Sequence, residues 1–271
     1  MINKSMNDNL QAKQLFIFDL DGTLYLDGVL FPKALELLEY IKNNNGKYVF
    51  LTNNSSRSSN EYVEKLNKLG IPCDLSNVAT SQQATINYIK TNHPEELFYV
   101  VGTKSMIKEM KSAGILISDD YSSKVTGVIL GYDTELEYKK LEIASKLITE
   151  GAIYIATHPD LVCPVKFGFV PDCGGFIKML EYATKRTPIV IGKPKRLIID
   201  MILERTKMPA SKALMTGDRL YTDIACGQAA GIDTLLVLSG ETKEEDLKEH
   251  QNKPTYIMKD VSELYEILIS K

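Results

Sequence analysis

Short runs of apolar residues alternate along the chain with segments in which apolar residues recur every three or four positions. The short runs are bounded by turn residues and are rich in β-branched and aromatic side chains, which is typical of buried strands. They predict strands at residues 15–18, 47–51, 188–191, 213–215 and 234–238. The helical spacing predicts helices at residues 33–42, 59–69, 196–204 and 222–230. This alternation predicts an α/β protein with a mainly parallel sheet.

The middle of the chain repeats the same alternation. Apolar runs and helical periodicity follow one another at residues 97–101, 103–113, 125–130, 135–150 and 153–157. These segments are enough for a second α/β layer of their own. Because no Gly/Ser-rich linker flanks them, the pattern alone does not mark where this layer begins and ends.

The composition is typical of a soluble globular protein, for which a small-molecule partner is the default expectation. Of the 271 residues, 44% are hydrophobic and 25% are charged, which argues against disorder. No apolar run approaches the roughly 20 residues that cross a bilayer. The formal net charge is −3 and the two signs are well mixed, so neither a nucleic acid nor a membrane is expected as a partner. The polar residues 1–14 predict a short disordered lead-in.

The cysteines and histidines do not form a metal-binding pattern. The four cysteines include no C-x-x-C pair, and the three histidines are scattered. A structural zinc site is therefore not expected. Free thiols are typical of a reducing compartment, so the sequence favours a cytoplasmic protein.

Two carboxylates follow the first predicted strand. Asp19 and Asp21 stand two positions apart where the apolar run ends, and Gly22 comes next. In open α/β sheets ligands bind at the carboxyl ends of the strands, and residues two apart on an extended segment point to the same side. Paired carboxylates suit a nucleophile or metal ligand beside an acid. The alternative is that both carboxylates only cap a turn that the glycine permits.

Further polar segments also stand at the ends of predicted strands. Thr52 and Asn53 offer a hydroxyl and amide groups that could donate to phosphate oxygens. Lys193 supplies a fixed point charge for phosphate. Asp218, followed five residues later by Asp223, adds carboxylate oxygens of the kind that Mg²⁺ prefers.

In this order, the segments that contain Asp19, Thr52, Lys193 and Asp218 resemble the four motifs of the haloacid dehalogenase (HAD) superfamily. Residues 52–56, Thr-Asn-Asn-Ser-Ser, are most similar to its NagD-like and p-nitrophenyl phosphatase-like group, which carries a type II (IIA) cap. The resemblance implies a Rossmann-like HAD core with a parallel sheet, plus an inserted smaller α/β cap domain.

The spacing of the motifs indicates where the cap is inserted. Residues 25–30 contain an Asp-Gly pair flanked by apolar residues, which predicts a tight hairpin and leaves no room for a domain there. Thr52 and Lys193 are 141 positions apart (193 − 52), far more than one strand and one crossover helix need. We therefore expect a discontinuous catalytic core and an inserted cap, at residues 1–81 with 185–271 and at residues 82–184 respectively.

The resemblance implies catalytic and metal-binding roles for the carboxylates. Asp19 would be the nucleophile that attacks phosphorus, and Asp21 would protonate the leaving oxygen and then help to activate water. Mg²⁺ would be held by the Asp19 carboxylate, the backbone carbonyl of Asp21 and the Asp218 carboxylate.

The resemblance also implies how the phosphate is bound. Thr52, the Asn53 amide and Lys193 would hold the remaining phosphate oxygens. Asp223 would orient Lys193 or a metal-bound water rather than ligate the metal directly.

Two segments of the cap are candidates for contact with the substrate. His158 and Asp160 follow an apolar run, and Asp172 precedes a segment with helical spacing. The family usually has Asn at the position of His158 and a Pro-Gly pair where this chain has Pro171 and Asp172. For His158 the alternative is a helix-capping or surface histidine.

The predicted activity is that of a Mg²⁺-dependent phosphatase. It would hydrolyse a phosphate monoester of a small metabolite, such as a sugar phosphate or a nucleotide monophosphate, through an aspartyl-phosphate intermediate. Two alternatives stay open, a phosphometabolite-binding regulator on an inactive phosphatase scaffold and a phosphomutase. The expected partner is a small-molecule phosphate ester, and a homodimer is one option for the oligomeric state.

Overall fold

The computed structural model of this protein describes residues 4–165, 167–248 and 250–270. The chain forms two compact units. The first runs up to Thr52 and continues at Tyr62–Ala79 and from Pro194 onward, and the second contains Asn53–Glu61 and Thr80–Lys193. Each unit has its own parallel sheet and its own helices. The expected α/β class, a parallel core sheet with a smaller inserted α/β domain, is therefore confirmed.

The helices and strands alternate along most of the chain. The strands are β1 (Leu15–Phe18), β2 (Tyr25–Leu26), β3 (Val29–Leu30), β4 (Lys47–Thr52), β5 (Val78–Thr80), β6 (Leu97–Val101), β7 (Leu116–Ser118), β8 (Gly127–Leu130), β9 (Ile153–Ala156), β10 (Val162–Val165), β11 (Gly168–Pro171), β12 (Ile189–Val190), β13 (Ala213–Gly217), β14 (Asp233–Val237) and β15 (Tyr256–Met258). The α-helices are α1 (Lys4–Gln11), α2 (Ala34–Asn43), α3 (Ser59–Lys68), α4 (Ser81–Asn92), α5 (Lys104–Ser112), α6 (Tyr138–Thr149), α7 (Cys173–Thr184), α8 (Leu197–Thr206), α9 (Ala225–Ala229) and α10 (Val261–Ile269). A π-helical turn, Leu220–Ile224, precedes α9. None of the described helices is both long enough and apolar enough to cross a lipid bilayer.

The first unit is built on a six-stranded sheet with the order β15-β14-β13-β1-β4-β5. Strand β1 is entirely buried and pairs in parallel with β13 on one side and β4 on the other. The chain passes from β1 to β4 on one side and later returns to β13 on the other, so the strand order reverses beside β1. Ligands of open α/β sheets bind at such a reversal, outside the carboxyl ends of the strands.

Helices α2 and α10 pack against each other in the first unit. The hydroxyl of Tyr40 donates a hydrogen bond to the carbonyl of Leu268 at 2.6 Å, and the rings of Tyr40 and Tyr265 meet edge to face at 6.4 Å. Their buried side chains, which include Leu37 and Leu264, join the apolar core under the sheet. Helices α2 and α10 therefore contribute to the same apolar core as the sheet.

The segment before β1 is helical, so the predicted disordered lead-in is wrong for the part of it that the structure describes. Helix α1 begins at Lys4, and its Leu10 side chain is fully buried. The amide of Gln11 donates to the carbonyls of Ile267 and Ser270 at 2.9 and 2.6 Å. These contacts join residues more than 250 positions apart, which is why the local sequence did not reveal them. Residues 1–3 lie outside the described part of the chain.

The predicted tight hairpin is confirmed. Strands β2 and β3 pair in antiparallel register, with Tyr25 opposite Leu30. Asp27 and Gly28 between them have φ angles of 50° and 79°. Positive φ at both central residues is what a two-residue turn of this type requires, and Asp-Gly adopts it readily. The chain therefore turns back immediately after the Asp19–Asp21 segment.

The second unit has a five-stranded sheet with the order β12-β9-β8-β6-β7, and its described strand pairs are all parallel. A separate antiparallel hairpin consists of β10 and β11. Helices α6 and α7 bury their apolar faces against this sheet, for example through Leu147 and Phe176. The second α/β layer predicted from the middle of the chain is therefore present.

The apolar run at residues 188–191 predicted a buried strand of the core, and this prediction is wrong in its placement. Strand β12 pairs with β9 at the edge of the second sheet, and Ile189 is 44% exposed. An edge strand is covered on fewer sides than a central one, but its short apolar run looks the same in the sequence. The two compact units differ from the sequence-based division chiefly at residues 53–61 and 185–193, which belong to the second unit.

Candidate active site

Three carboxylates converge at the carboxyl edge of the first sheet. Carboxylate oxygens of Asp19, Asp218 and Asp223 all lie within 4.8 Å of one another. Asp19 directly follows β1, where its backbone N–H donates to the carbonyl of Thr216 at 2.8 Å. Asp218 directly follows β13, the parallel neighbour of β1. The convergence therefore results from the strand order, at the point where that order reverses.

Backbone groups fix the two buried carboxylates of this group. One oxygen of Asp218 accepts a hydrogen bond from the N–H of Glu241 at 2.7 Å, and Asp218 is only 2% exposed. One oxygen of Asp223 accepts from the N–H of Arg219 at 3.1 Å. Asp223 itself lies in the π-helical turn, a local widening of the helix that often marks a functional position. Both carboxylates are thus held in place by the backbone.

Glycines make room for the Asp218 carboxylate. A Cβ atom added to Gly22 would lie 2.6 Å from Oδ2 of Asp218, and one added to Gly240 would lie closer still. Gly22 also has a φ of 88°, a conformation that other residues rarely adopt. The lack of a side chain at Gly22 therefore serves two purposes, since it permits the turn and leaves space for the Asp218 carboxylate.

We expect Gly22→Ala to lower turnover and metal affinity by roughly 10- to 100-fold, because the methyl group would displace the Asp218 carboxylate. Gly231→Ala is a matched control: Gly231 has a φ of 71°, but an added Cβ would have no neighbour within 4 Å. Both variants carry backbone strain, and only the first disturbs a carboxylate. Steady-state kinetics and metal titration with melting temperatures for both variants would test this. Equal losses in the two variants would contradict it.

Arg219 is a charged member of the site to which sequence reasoning assigned no role. Its guanidinium Nε lies 2.8 Å from Oε2 of Glu241. Burial by itself would lower the pKa of Arg219, but interactions with Tyr221, Glu241 and the carboxylates of Asp19 and Asp218 raise it above its usual value. A permanent positive charge therefore offsets part of the carboxylate charge. Its only sequence signal is its position directly after Asp218.

The Asp21 side chain lies outside the group of three carboxylates. Its side chain is 60% exposed, one oxygen accepts a hydrogen bond from the Tyr25 hydroxyl at 3.4 Å, and the other lies 3.9 Å from Nζ of Lys65. Burial, followed by the charge of Asp21, raises the pKa of Tyr25, so its hydroxyl stays protonated and able to donate. An accessible carboxylate beside a fixed donor has the freedom that a proton-transfer group needs.

The donor set of the three carboxylates fits Mg²⁺. This cation prefers a few hard oxygen ligands, and Asp19, Asp218 and Asp223 offer carboxylate oxygens close enough to share one ion. The side chain of Asp21 is not in the group, which leaves its backbone carbonyl as the expected donor. Asp223, expected to act indirectly, has a carboxylate oxygen within 4.8 Å of those of the other two residues.

In the second unit, Asn53 joins two of the other predicted residues. Its Oδ1 accepts from the backbone N–H of Lys193 at 2.8 Å, and its Nδ2 donates to the Lys193 carbonyl at 3.0 Å. The same Nδ2 donates to both carboxylate oxygens of Asp160, at 3.2 and 3.1 Å. The side-chain amide of Asn53 is therefore engaged within the protein, and its backbone N–H is the amide that it could offer a phosphate.

His158 is fully buried, so the surface alternative for this residue is wrong. Its Nδ1 is 2.8 Å from the Thr157 hydroxyl and its Nε2 is 2.9 Å from Oδ1 of Asp172. Burial acts to lower the pKa of His158, but the hydrogen bond and charge of Asp172 outweigh it and raise the pKa above its usual value. Asp172 also caps α7 by accepting from the N–H of Cys173. The two departures from the family pattern are thus hydrogen-bond partners.

The chain is similar to known hydrolases in both sequence and structure. Residues 16–116 match a family model described as haloacid dehalogenase-like hydrolase, and residues 190–264 match a second, HAD-hydrolase-like model. The chain is 34% identical to an acid sugar phosphatase of Staphylococcus haemolyticus over 91% of this chain and 93% of that protein. It superposes on the crystal structure of a 4-nitrophenylphosphatase from Thermotoga maritima with a TM-score of 0.91 and 40% identity, over 96% and 99% of the two chains. A glycerol phosphate phosphatase from Mycobacterium tuberculosis, solved with magnesium, gives a TM-score of 0.89 and 29% identity, over 94% of this chain and 77% of that one.

Proposed function

The chain belongs to the haloacid dehalogenase-like hydrolases, and we propose that it is a Mg²⁺-dependent phosphatase that works through an aspartyl-phosphate intermediate. Its substrates are phosphate monoesters of small metabolites. The observation that carries the proposal is the convergence of Asp19, Asp218 and Asp223 within 4.8 Å at the carboxyl edge of the sheet. Asp21, two residues after Asp19, keeps an accessible carboxylate outside that group. This arrangement separates the metal-binding carboxylates from the one that transfers protons.

In the proposed first step, the Asp19 carboxylate attacks the phosphorus of the ester. The bond between phosphorus and the ester oxygen breaks, and Asp21, in its protonated form, gives its proton to the departing alkoxide. In the second step, the Asp21 carboxylate takes a proton from water, and the resulting hydroxide attacks the phosphorus of the aspartyl-phosphate. Inorganic phosphate leaves, and Asp19 is restored.

Mg²⁺ would be held by carboxylate oxygens of Asp19 and Asp218 and by the backbone carbonyl of Asp21. Asp223 would either orient a bound water or add a fourth oxygen. The ion, when bound, neutralises negative charge that would otherwise keep a phosphate away from a carboxylate nucleophile. Arg219, whose pKa is raised by its acidic neighbours despite its burial, would keep the remaining carboxylate charge partly compensated.

The phosphate oxygens would be bound by the Thr52 hydroxyl, the backbone N–H of Asn53 and the ammonium group of Lys193. Thr52 ends β4, which is the parallel neighbour of the strand that carries Asp19. Hydrogen-bond donors that are fixed before the reaction stabilise developing negative charge without reorganising. We further propose that residues 82–184 form the functional cap, and that the organic part of the substrate is recognised there.

Small sugar or polyol phosphates and nucleotide monophosphates are the substrate class that we propose. Relatives named acid sugar phosphatase, glycerol phosphate phosphatase and 4-nitrophenylphosphatase support a small organic group on the phosphate. A cytoplasmic location and a homodimer stay predictions from the sequence.

Hydrolysis of p-nitrophenyl phosphate with and without Mg²⁺ tests the proposal directly. We expect chelation to lower kcat more than about 30-fold, because the carboxylate charge is then uncompensated, and added Mg²⁺ to restore it. The melting temperature of the chelated protein shows whether it remains folded. Full turnover by folded, metal-free protein would contradict the metal requirement. Binding of phosphate esters without any turnover would favour the regulator instead.

A further inference from the structure

The backbone of Lys193 is fixed by a side chain that lies 140 positions away in the sequence. The amide of Asn53 forms two hydrogen bonds with Lys193, to the N–H at 2.8 Å and to the carbonyl at 3.0 Å. Both residues are more than nine-tenths buried. A Cβ added to the preceding Gly192 would lie 2.6 Å from Oδ1 of Asn53, so this close approach depends on glycine. The position of the Lys193 backbone therefore depends on the orientation of the Asn53 amide.

Asp160 favours the same orientation of the Asn53 amide that the Lys193 backbone requires. A carboxylate can only accept hydrogen bonds, so the NH₂ end of the amide must face it. The observed contacts, 3.1 and 3.2 Å from Nδ2 to the two carboxylate oxygens, have this arrangement. The opposite orientation would place Oδ1 against the Asp160 carboxylate and Nδ2 against the N–H of Lys193. Two acceptors would then face each other, as would two donors, and neither pair could form a hydrogen bond. A buried polar group without a partner costs roughly a factor of 5 to 150 in an equilibrium.

A second buried connection starts from the same short segment. The Ser55 hydroxyl accepts from the N–H of Tyr132 at 2.9 Å and lies 3.0 Å from the Thr157 hydroxyl. Thr157 in turn is 2.8 Å from Nδ1 of His158, whose Nε2 is 2.9 Å from Asp172. Residues 157–160 thus hold residues 53–55 at two points. Asp160 supports the contact at Asn53 directly, and His158 supports the contact at Ser55 through Thr157.

We propose that Asp160 and His158 position residues 53–55 and Lys193, which include the proposed phosphate ligands. Neither Asp160 nor His158 would contact the organic part of the substrate. Asp160 acts through Asn53 on the Lys193 backbone, and His158 acts through Thr157 on Ser55. The inference rests on the proposed function, because it takes Lys193 and the Asn53 backbone as phosphate ligands. Since every substrate shares the phosphate, the loss of either positioning residue lowers the reactivity of all esters by a common factor.

Asp160→Ala, Asp160→Asn and His158→Ala test the proposal, with Asp119→Ala as the control for a surface carboxylate of the same unit, 81% of whose side chain is exposed. The readouts are kcat/KM for p-nitrophenyl phosphate, a sugar phosphate, glycerol phosphate and a nucleotide monophosphate. Affinity for inorganic phosphate, measured by calorimetry in the presence of Mg²⁺, requires no turnover. Melting temperatures identify variants that are merely unstable.

In each of the variants Asp160→Ala and His158→Ala, kcat/KM should fall by one factor that is common to all four esters, with a parallel loss of phosphate affinity. For Asp160→Ala we expect this factor to be roughly 10 to 100. Asp160→Asn should retain activity to within about 3-fold, since its carbonyl can still accept from Asn53. Different factors for different esters would overturn the proposal, as would unchanged phosphate affinity or failure of the asparagine variant to rescue. If the wild-type protein binds phosphate but hydrolyses no ester, the proposed function fails, and the calorimetric comparison still decides the positioning role.

Discussion

Asp19→Asn is expected to abolish turnover of p-nitrophenyl phosphate, by at least roughly 10³-fold in kcat, while the protein remains folded. The amide has nearly the shape of the carboxylate but cannot attack phosphorus. It also removes one of three negative charges that lie within 4.8 Å of one another. Without a metal those charges repel each other, and the substitution removes part of that repulsion. In the presence of a chelator, the melting temperature of the variant should therefore be no lower than that of the wild type. Kinetics, thermal unfolding and mass spectrometry of acid-quenched protein are the measurements.

Mass spectrometry separates the covalent mechanism from direct attack by water. Wild-type protein quenched during turnover should gain the mass of one phosphoryl group, and the Asp19→Asn variant should not. Asp200→Asn is a suitable control, since it makes the same change at a surface carboxylate that pairs with Arg196 at 2.7 Å. Substantial residual kcat in Asp19→Asn, or a phosphoryl adduct on it, would refute Asp19 as the nucleophile.

The four central strands of the first sheet, β14, β13, β1 and β4, could be predicted from the sequence because their signal is local, whereas the three-residue edge strands β5 and β15 were not predicted. The run at residues 15–18 is apolar on both faces and is bounded by polar residues, and β1 has these same bounds. The hairpin could also be predicted from the sequence, since Asp27 and Gly28 supply the required positive φ angles. Helix α1 and strand β12 were not, because tertiary contacts decide whether a polar segment folds and to which sheet an apolar run belongs.

The carboxylates of the candidate site were predictable for a similar reason. Asp19 and Asp218 each directly follow a strand, and parallel strands bring such positions to one edge. Side-chain partners far apart in the sequence leave no such signal. Asn53 with Lys193 and His158 with Asp172 are examples. The hydrogen bonds of Asp160 with Asn53 and of His158 with Thr157 support the positioning role that we propose for these two cap residues.

Asp21→Asn should impair turnover less than Asp19→Asn for a good leaving group and severely for a poor one. An amide cannot give a proton to the departing oxygen, and general acid catalysis contributes roughly 10²- to 10⁴-fold when the leaving group is a basic alkoxide. Nitrophenolate leaves without a proton, so we expect a small loss of kcat for p-nitrophenyl phosphate. For an alkyl phosphate such as glycerol phosphate we expect about a 10³-fold loss. Single-turnover rates for both esters are the measurement, since they report the first chemical step.

The structure supplies a matched control for this comparison. Asp27→Asn makes the same change six residues away, in the exposed hairpin turn, where a positive φ is readily adopted by asparagine. It should leave both rates unchanged. Because the Asp21 carboxylate is 60% exposed and lies outside the three-carboxylate group, its replacement should also leave Mg²⁺ affinity nearly unchanged. An equal loss of single-turnover rate for the two esters would exclude the acid role, and weaker Mg²⁺ binding would assign the Asp21 side chain, in addition to its backbone carbonyl, to the metal.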